Sequence, residues 1–73
     1  MTPPKISLRA ARVNAELTQE QVAKYIGVTK ETIVSYESGK TIPKWDTVSK
    51  LVELYKYPAD FIFFGKQSAL SGE

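Results

Sequence analysis

Between Thr18 and Lys44 the sequence gathers most of its candidates for chemistry, and they are groups that bind, not groups that react. Lys30 follows Thr29, a residue suited to capping a helix, so its ammonium stands at the first helical position, where the positive end of the helix dipole disfavours a cation. Stability does not favour lysine there, whereas an anionic partner does: the ammonium can donate to guanine O6 and N7 or to a phosphate. Glu31 can accept from cytosine N4, although a carboxylate in a first helical turn is stabilising by roughly 0.3 to 1 kcal/mol without any partner. Thr18 and Gln19 open another helix whose free amides and dipole suit a phosphate, and Thr18 caps that helix in either case. Lys40, Thr41 and Lys44 flank a loop and are candidates for a phosphate clamp, against the plainer reading of solvated loop residues. Trp45 also has an indole N–H to offer a phosphate, but as the first member of an apolar stripe it is expected in the core.

Catalysis has little to stand on. The chain lacks histidine and cysteine, hence the commonest general base, disulfides and the usual transition-metal ligands. Glu16 and Glu20, at i and i+4, are the only nearby paired carboxylates, and they read as a solvated helix face. Neither enzymatic activity nor a cofactor, metal or small-molecule ligand is expected. Ten Lys and Arg against eight Asp and Glu leave a net charge of +2 in 73 residues, so any affinity for nucleic acid depends on where the basic groups fall. No apolar run approaches the roughly 20 residues that span a membrane, no secretory signal is visible, and a cytoplasmic location is expected.

The elements that must position these groups read as helices. Pro3-Pro4 makes residues 1–5 an extended arm. Leu8, Ala11 and Ala15, with Arg12 on the same stripe, have amphipathic helical spacing, with Ser7 as cap. Thr18 and Gln21 form a capping box for a second helix with Val22, Ala23 and Ile26 inward, ended by Gly27. After Val28 alone, Thr29 caps a third helix with Ile33, Tyr36 and Glu37 inward, stopped by Gly39. Pro43 precedes a fourth, whose face is Trp45, Val48, Leu51, Val52 and Tyr55. Pro58 starts a fifth, Ala59 to Phe64, closed by Gly65, and residues 66–73 read as a flexible tail. No strand alternation is seen.

Residues Leu17 to Gly39 thus have the organisation of a DNA-reading helix-turn-helix, with small Ala23 at the helix crossing, Gly27 in the turn, and Val28 and Ile33 filling the space between. Together with Leu8-Arg9-x-x-Arg12, Leu17-Thr18-Gln19, Val28-Thr29, Glu37-x-Gly39-Lys40, Pro43, Leu51, Leu54 and the Asp60 to Gly65 ending, the chain resembles the phage lambda-type repressors and Cro proteins, the xenobiotic-response-element family. The resemblance covers nearly the whole chain. It implies an all-α, compact five-helix lambda-repressor-like domain over residues 6–65, with the third helix in the major groove and the second bracing it. It further implies that Thr32 and Ser35 stand at base edges or phosphates, where a plain solvent face is the alternative, and that Gln19 clamps the backbone and braces the reading helix. Two departures stand out: the family often has glycine where this chain has Glu16 and Lys56, so those helix ends are capped differently or sit left-handed at roughly 1 kcal/mol each.

Arg12 and Glu37 each interrupt an apolar stripe, which predicts that they pair, the alternative being that both snorkel to solvent. In the resembling family this contact is structural. Phe61, Ile62, Phe63 and Phe64 are four consecutive apolar residues that one short helix cannot bury against its own domain. The family dimerises through this region, so Phe61, Phe63 and Phe64 are expected at a two-fold interface. The function that follows is a homodimeric repressor binding double-stranded DNA at a palindromic operator, with half-sites about 34 to 36 Å apart. The rival is an antitoxin-like protein-interaction module using the apolar last helix.

Overall fold

The computed structural model describes residues 3–64, and the expected tail and its Gly65 boundary lie outside them. Ser7 accepts from the Ala10 amide at 3.0 Å and so starts α1 (Leu8–Asn14), which buries Leu8 and Ala11. The Thr18 hydroxyl takes the Gln21 amide at 3.0 Å while the Gln21 side chain takes the Thr18 amide at 2.8 Å. This reciprocal box satisfies two donors at the start of α2 (Gln19–Ile26). Gly27 ends α2 at φ +80°, a left-handed turn in which the amides of Gly27 and Val28 both reach the Ala23 carbonyl at 2.9 Å. A Cβ at Gly27 would meet nothing within 4 Å, so the backbone angle and not space demands glycine there.

Thr29 caps α3 (Lys30–Ser38), accepting from the Thr32 amide at 3.2 Å. After a loop, α4 (Trp45–Tyr55) packs against α1 and α2 and buries Leu51 and Tyr55. Ile33, Leu51 and Val22 are the most completely buried large side chains, and Leu8, Ala11, Ala23, Ile26, Tyr55 and Ile62 surround them. Burial of such residues is the main stabilising term in a domain this small. Glu16 and Lys56 hold left-handed conformations, with φ 61° and 54°, as expected where glycine is missing from two helix ends.

Among the described residues four α-helices stand where five were expected. The segment predicted as a fifth helix is a single 3₁₀ turn, Ala59–Phe61, followed by β1's partner strand: β1 (Ile6–Ser7) pairs in parallel with β2 (Ile62–Phe63), Ile6 opposite Ile62 and Ser7 opposite Phe63. The physical reason is local. A six-residue helix barely exceeds its costly nucleus, while β-branched and aromatic Ile62 and Phe63 suit a strand, and the extended backbone ahead of α1 offers them an edge. Pro3, Pro4 and Lys5 precede that edge; the Pro4 carbonyl accepts from the Tyr57 hydroxyl, and the Lys5 ammonium lies 5.6 Å from the Phe63 ring centroid.

Trp45 is a second correction. It is 76% exposed, not core. Its apolar spacing on α4 is real, but it occupies the first helical position, and Lys44, Asp46 and Ser49 around it are exposed, so the first turn overhangs the packed part of the helix. Among the described residues no helix is long and apolar enough to cross a membrane.

Candidate nucleic-acid interface

Arg12 and Glu37 come together between α1 and α3. Arg12 Nε donates to Glu37 Oε2 at 2.6 Å and Nη2 to Oε1 at 3.4 Å, while Nη1 reaches the Leu17 carbonyl at 2.8 Å. Gln19 Nε2 donates to Glu37 Oε1 at 3.1 Å. The side chains of Arg12 and Glu37 are only 11% and 5% exposed, so this is a largely desolvated pair, tolerated because its remaining hydrogen-bonding capacity is met. The network ties α1, the turn after it, α2 and α3 to one another. Burial raises the pKa of the Tyr55 hydroxyl well above its ordinary value; the negative charge of Glu37 adds to the effect and Arg12 opposes it. The inner end of α4 therefore lies within the field of the same pair.

Held in this way, α3 turns one side inward and another out. Ile33 is buried, and Tyr36 packs partly against the core. Lys30, Glu31, Val34 and Ser38 are exposed, at the spacing of one helical face, with Ser35 half-buried beside them. Thr32 is also half-buried, and its hydroxyl lies 2.9 Å from that of Thr29, within the cap. Among the described residues Arg12 and Glu37 form the only salt bridge, so Arg9, Lys30, Lys40 and Lys44 have no carboxylate within 4.0 Å. Their charges are left to solvent or to a ligand.

Thr18 and Gln19 lie at the N-terminus of α2, where the capping box uses the Gln21 amide and leaves earlier amides without an intrahelical partner. Gln19 spends its side-chain amide on Glu37 and so holds the start of α2 against α3. The loop beyond α3 is shaped by its backbone: the amides of Lys40 and Thr41 turn back to the Ser35 carbonyl at 3.0 and 3.3 Å, and Lys40, Thr41 and Lys44 are exposed. Phe61, Phe63 and Phe64 are each half-buried at the far end of the described residues, with Ile62 between them 3% exposed.

An open depression of about 340 Å³ between α1 and α3 is lined by Arg9, Arg12, Gln19, Val34, Glu37 and Ser38. Val34 and Arg9 were not among the candidate site residues read from the sequence. Val34 had a signal: it falls four residues after Lys30, off the Ile33, Tyr36 and Glu37 stripe, so helical periodicity alone turns it outward. Among the described residues no cluster of acidic side chains could hold a metal ion.

Comparison with known proteins fits this geometry. Residues 8–62 match the sequence profile of a helix-turn-helix family. The chain is 47% identical over 51 residues to the cryptic phage CTXphi transcriptional repressor RstR of Vibrio cholerae, covering 70% of this chain and 46% of that protein. It is 40% identical over 58 residues to the HTH-type transcriptional repressor RghR of Bacillus subtilis, covering 78% and 43%. An uncharacterized HTH-type transcriptional regulator of Archaeoglobus fulgidus is 32% identical over 63 residues, covering 86% and 89%. The matched region thus spans under half the length of the two repressors and most of the archaeal regulator. With α1 to α4 among the described residues, a capped tight turn between α2 and α3, and a profile match from α1 to β2, the chain belongs to the xenobiotic-response-element type of helix-turn-helix transcription regulators.

Proposed function

We propose that the chain is a sequence-specific DNA-binding repressor that lays α3 in the major groove and acts in the cytoplasm as a homodimer on a palindromic operator. The observation that carries this reading is the outward face of α3, with uncommitted Lys30 at the positive end of the helix, rigidly backed by the Arg12–Glu37–Gln19 network. Lys30, Glu31 and Ser35 read base edges, and Thr32 contributes through the methyl side of its capped hydroxyl. Phosphates on one side meet the start of α2 at Thr18 and Gln19, and on the other side Lys40, Thr41 and Lys44. Exposed Trp45, next to Lys44, adds an indole N–H for a phosphate oxygen. Phe61, Phe63 and Phe64, half-buried in the single domain, form the two-fold contact that sets two copies of α3 about one helical turn, or about 34 Å, apart. Repression then follows from occupancy of a promoter.

The test is selection from a random duplex library near physiological salt, followed by titration of the enriched site with wild type and Lys30→Ala. A two-fold-symmetric motif, bound more weakly or with altered preference by the variant, is the expected result. Absence of any enriched sequence, with only weak and steeply salt-dependent binding, overturns it and points to a protein partner for the apolar C-terminal segment.

A further inference from the structure

We infer that Val34 reads the 5-methyl group of a thymine in the major groove; the inference rests on the DNA-binding reading above and adds a specificity determinant to it. Val34 is 42% exposed and is the sole member of α3 among the exposed large hydrophobics, the others being Val13, Tyr25, Ile42 and Trp45. It stands one turn after Lys30 and one turn before Ser38, at the middle of the outward face. A single exposed valine is ordinary on a protein surface. Its placement here is less so, because a β-branched side chain at an outward helical position adds nothing to helix stability that alanine, lysine or glutamate would not improve.

The surroundings supply what a groove wall needs. Val34 shares the depression between α1 and α3 with Arg9, Gln19 and Ser38. Glu37 also lines it, but both carboxylate oxygens already accept, from Arg12 and from Arg12 and Gln19, so the local charge is not acidic. Arg9 has no carboxylate within 4.0 Å among the described residues and is free to meet a phosphate of the strand beside the reader. An apolar tip between a cationic rim and the polar ends of α3 matches one feature of the major groove, the thymine methyl, which offers no hydrogen bond and is recognised by apolar contact.

Deoxyuridine pairs as thymine does and differs only in lacking that methyl, so it isolates the contact. In the enriched operator each thymine is replaced in turn by deoxyuridine, and wild type, Val34→Ser and Val34→Ile are titrated, each shown by circular dichroism to melt as a folded domain. The expected result is one thymine position per half-site at which wild type and Val34→Ile lose about fourfold in affinity, the worth of one methyl withdrawn from water, while Val34→Ser loses nothing on replacement. Equal losses for wild type and Val34→Ser at every position, or no loss at any, overturn the role of Val34 while leaving sequence-specific binding intact. If wild type enriches no sequence at all, the DNA-binding reading itself falls, and this inference with it.

Discussion

One guanidinium, that of Arg12, serves three acceptors: both oxygens of Glu37 and the Leu17 carbonyl. Removing it in Arg12→Ala leaves a carboxylate with 5% side-chain exposure and Gln19 as its remaining side-chain donor. Because an orphaned buried charge loses its partner without regaining water, the variant is expected to be less stable by about 3 kcal/mol in urea denaturation. Arg12→Lys keeps the charge but not the fork, and should fall between the two. A midpoint for Arg12→Ala indistinguishable from wild type would mean that the pair is solvated after all. Tyr55 makes a second prediction in the same neighbourhood. Its hydroxyl binds its proton more tightly in the folded chain than in the unfolded one, through burial first and Glu37 second. Above the unfolded value near pH 10 the unfolded state therefore holds fewer protons than the folded state, and stability falls as pH rises, by up to about 1.4 kcal/mol per pH unit from this group. Below that pH the contribution is fully present. Tyr55→Phe removes the term, so its stability is expected to decline less steeply than that of wild type between about pH 10 and 12. Parallel declines would remove Tyr55 as the cause.

At the scale of elements, the ladder between β1 and β2 joins the two ends of the described chain and places Ile62 against α1 at 3% exposure. Ile62→Ala is expected to cost about 2 to 4 kcal/mol in thermal or urea unfolding, a core-sized loss, whereas Phe61→Ala, half-exposed on the 3₁₀ turn, should cost clearly less. Equal effects would mean that the segment packs as a helix with all its apolar residues sharing one environment. This element is also where the sequence was least legible. The starts of α1, α2 and α3 and the stops of α2 and α3 could be read because each of these boundaries rests on a local interaction: Ser7 with Ala10, Thr18 with Gln21, Thr29 with Thr32, Gly27 and Gly39 in left-handed turns. The pairing of Ile6 with Ile62 is a contact between distant parts of the chain, and no local pattern encodes it. Trp45 failed for a related reason: periodicity says which side of α4 is apolar, but not how far along the helix its neighbours extend to cover that side. The Arg12–Glu37 pair was legible because two charges out of pattern restrict each other's options. That Gln19 braces the reading helix came only from family resemblance, since its type and spacing fit a phosphate contact equally well, and its bond to Glu37 could not be read at all.

For the whole molecule, a net charge of +2 is too small to draw the chain to DNA indiscriminately, so affinity must come from basic groups concentrated on one side and used twice if the active species is a dimer. Counterion release turns that into an arithmetic test. Each phosphate neutralised contributes about 0.9 to the slope of log affinity against log salt. Lys44→Ala removes one proposed contact per protomer, so on the enriched operator it should lower the slope by about 1.8 if two protomers bind together and by about 0.9 if one binds alone. Lys50, exposed on α4 outside the proposed surface, serves as the control, and Lys50→Ala should leave the slope unchanged. The chain contains a single tryptophan, Trp45, one residue from Lys44 and 76% exposed, so its fluorescence reports on the same loop without a label. Operator binding should shield Trp45 from iodide quenching at protein concentrations where dilution alone changes nothing. If shielding instead follows protein concentration without DNA, Trp45 faces a second copy of the chain, and the loop after α3 belongs to the dimer contact and not to the phosphate clamp. An unchanged slope for Lys44→Ala together with an unshielded Trp45 would remove the loop from both surfaces, leaving the outward face of α3 and the start of α2 to carry the whole of the DNA contact.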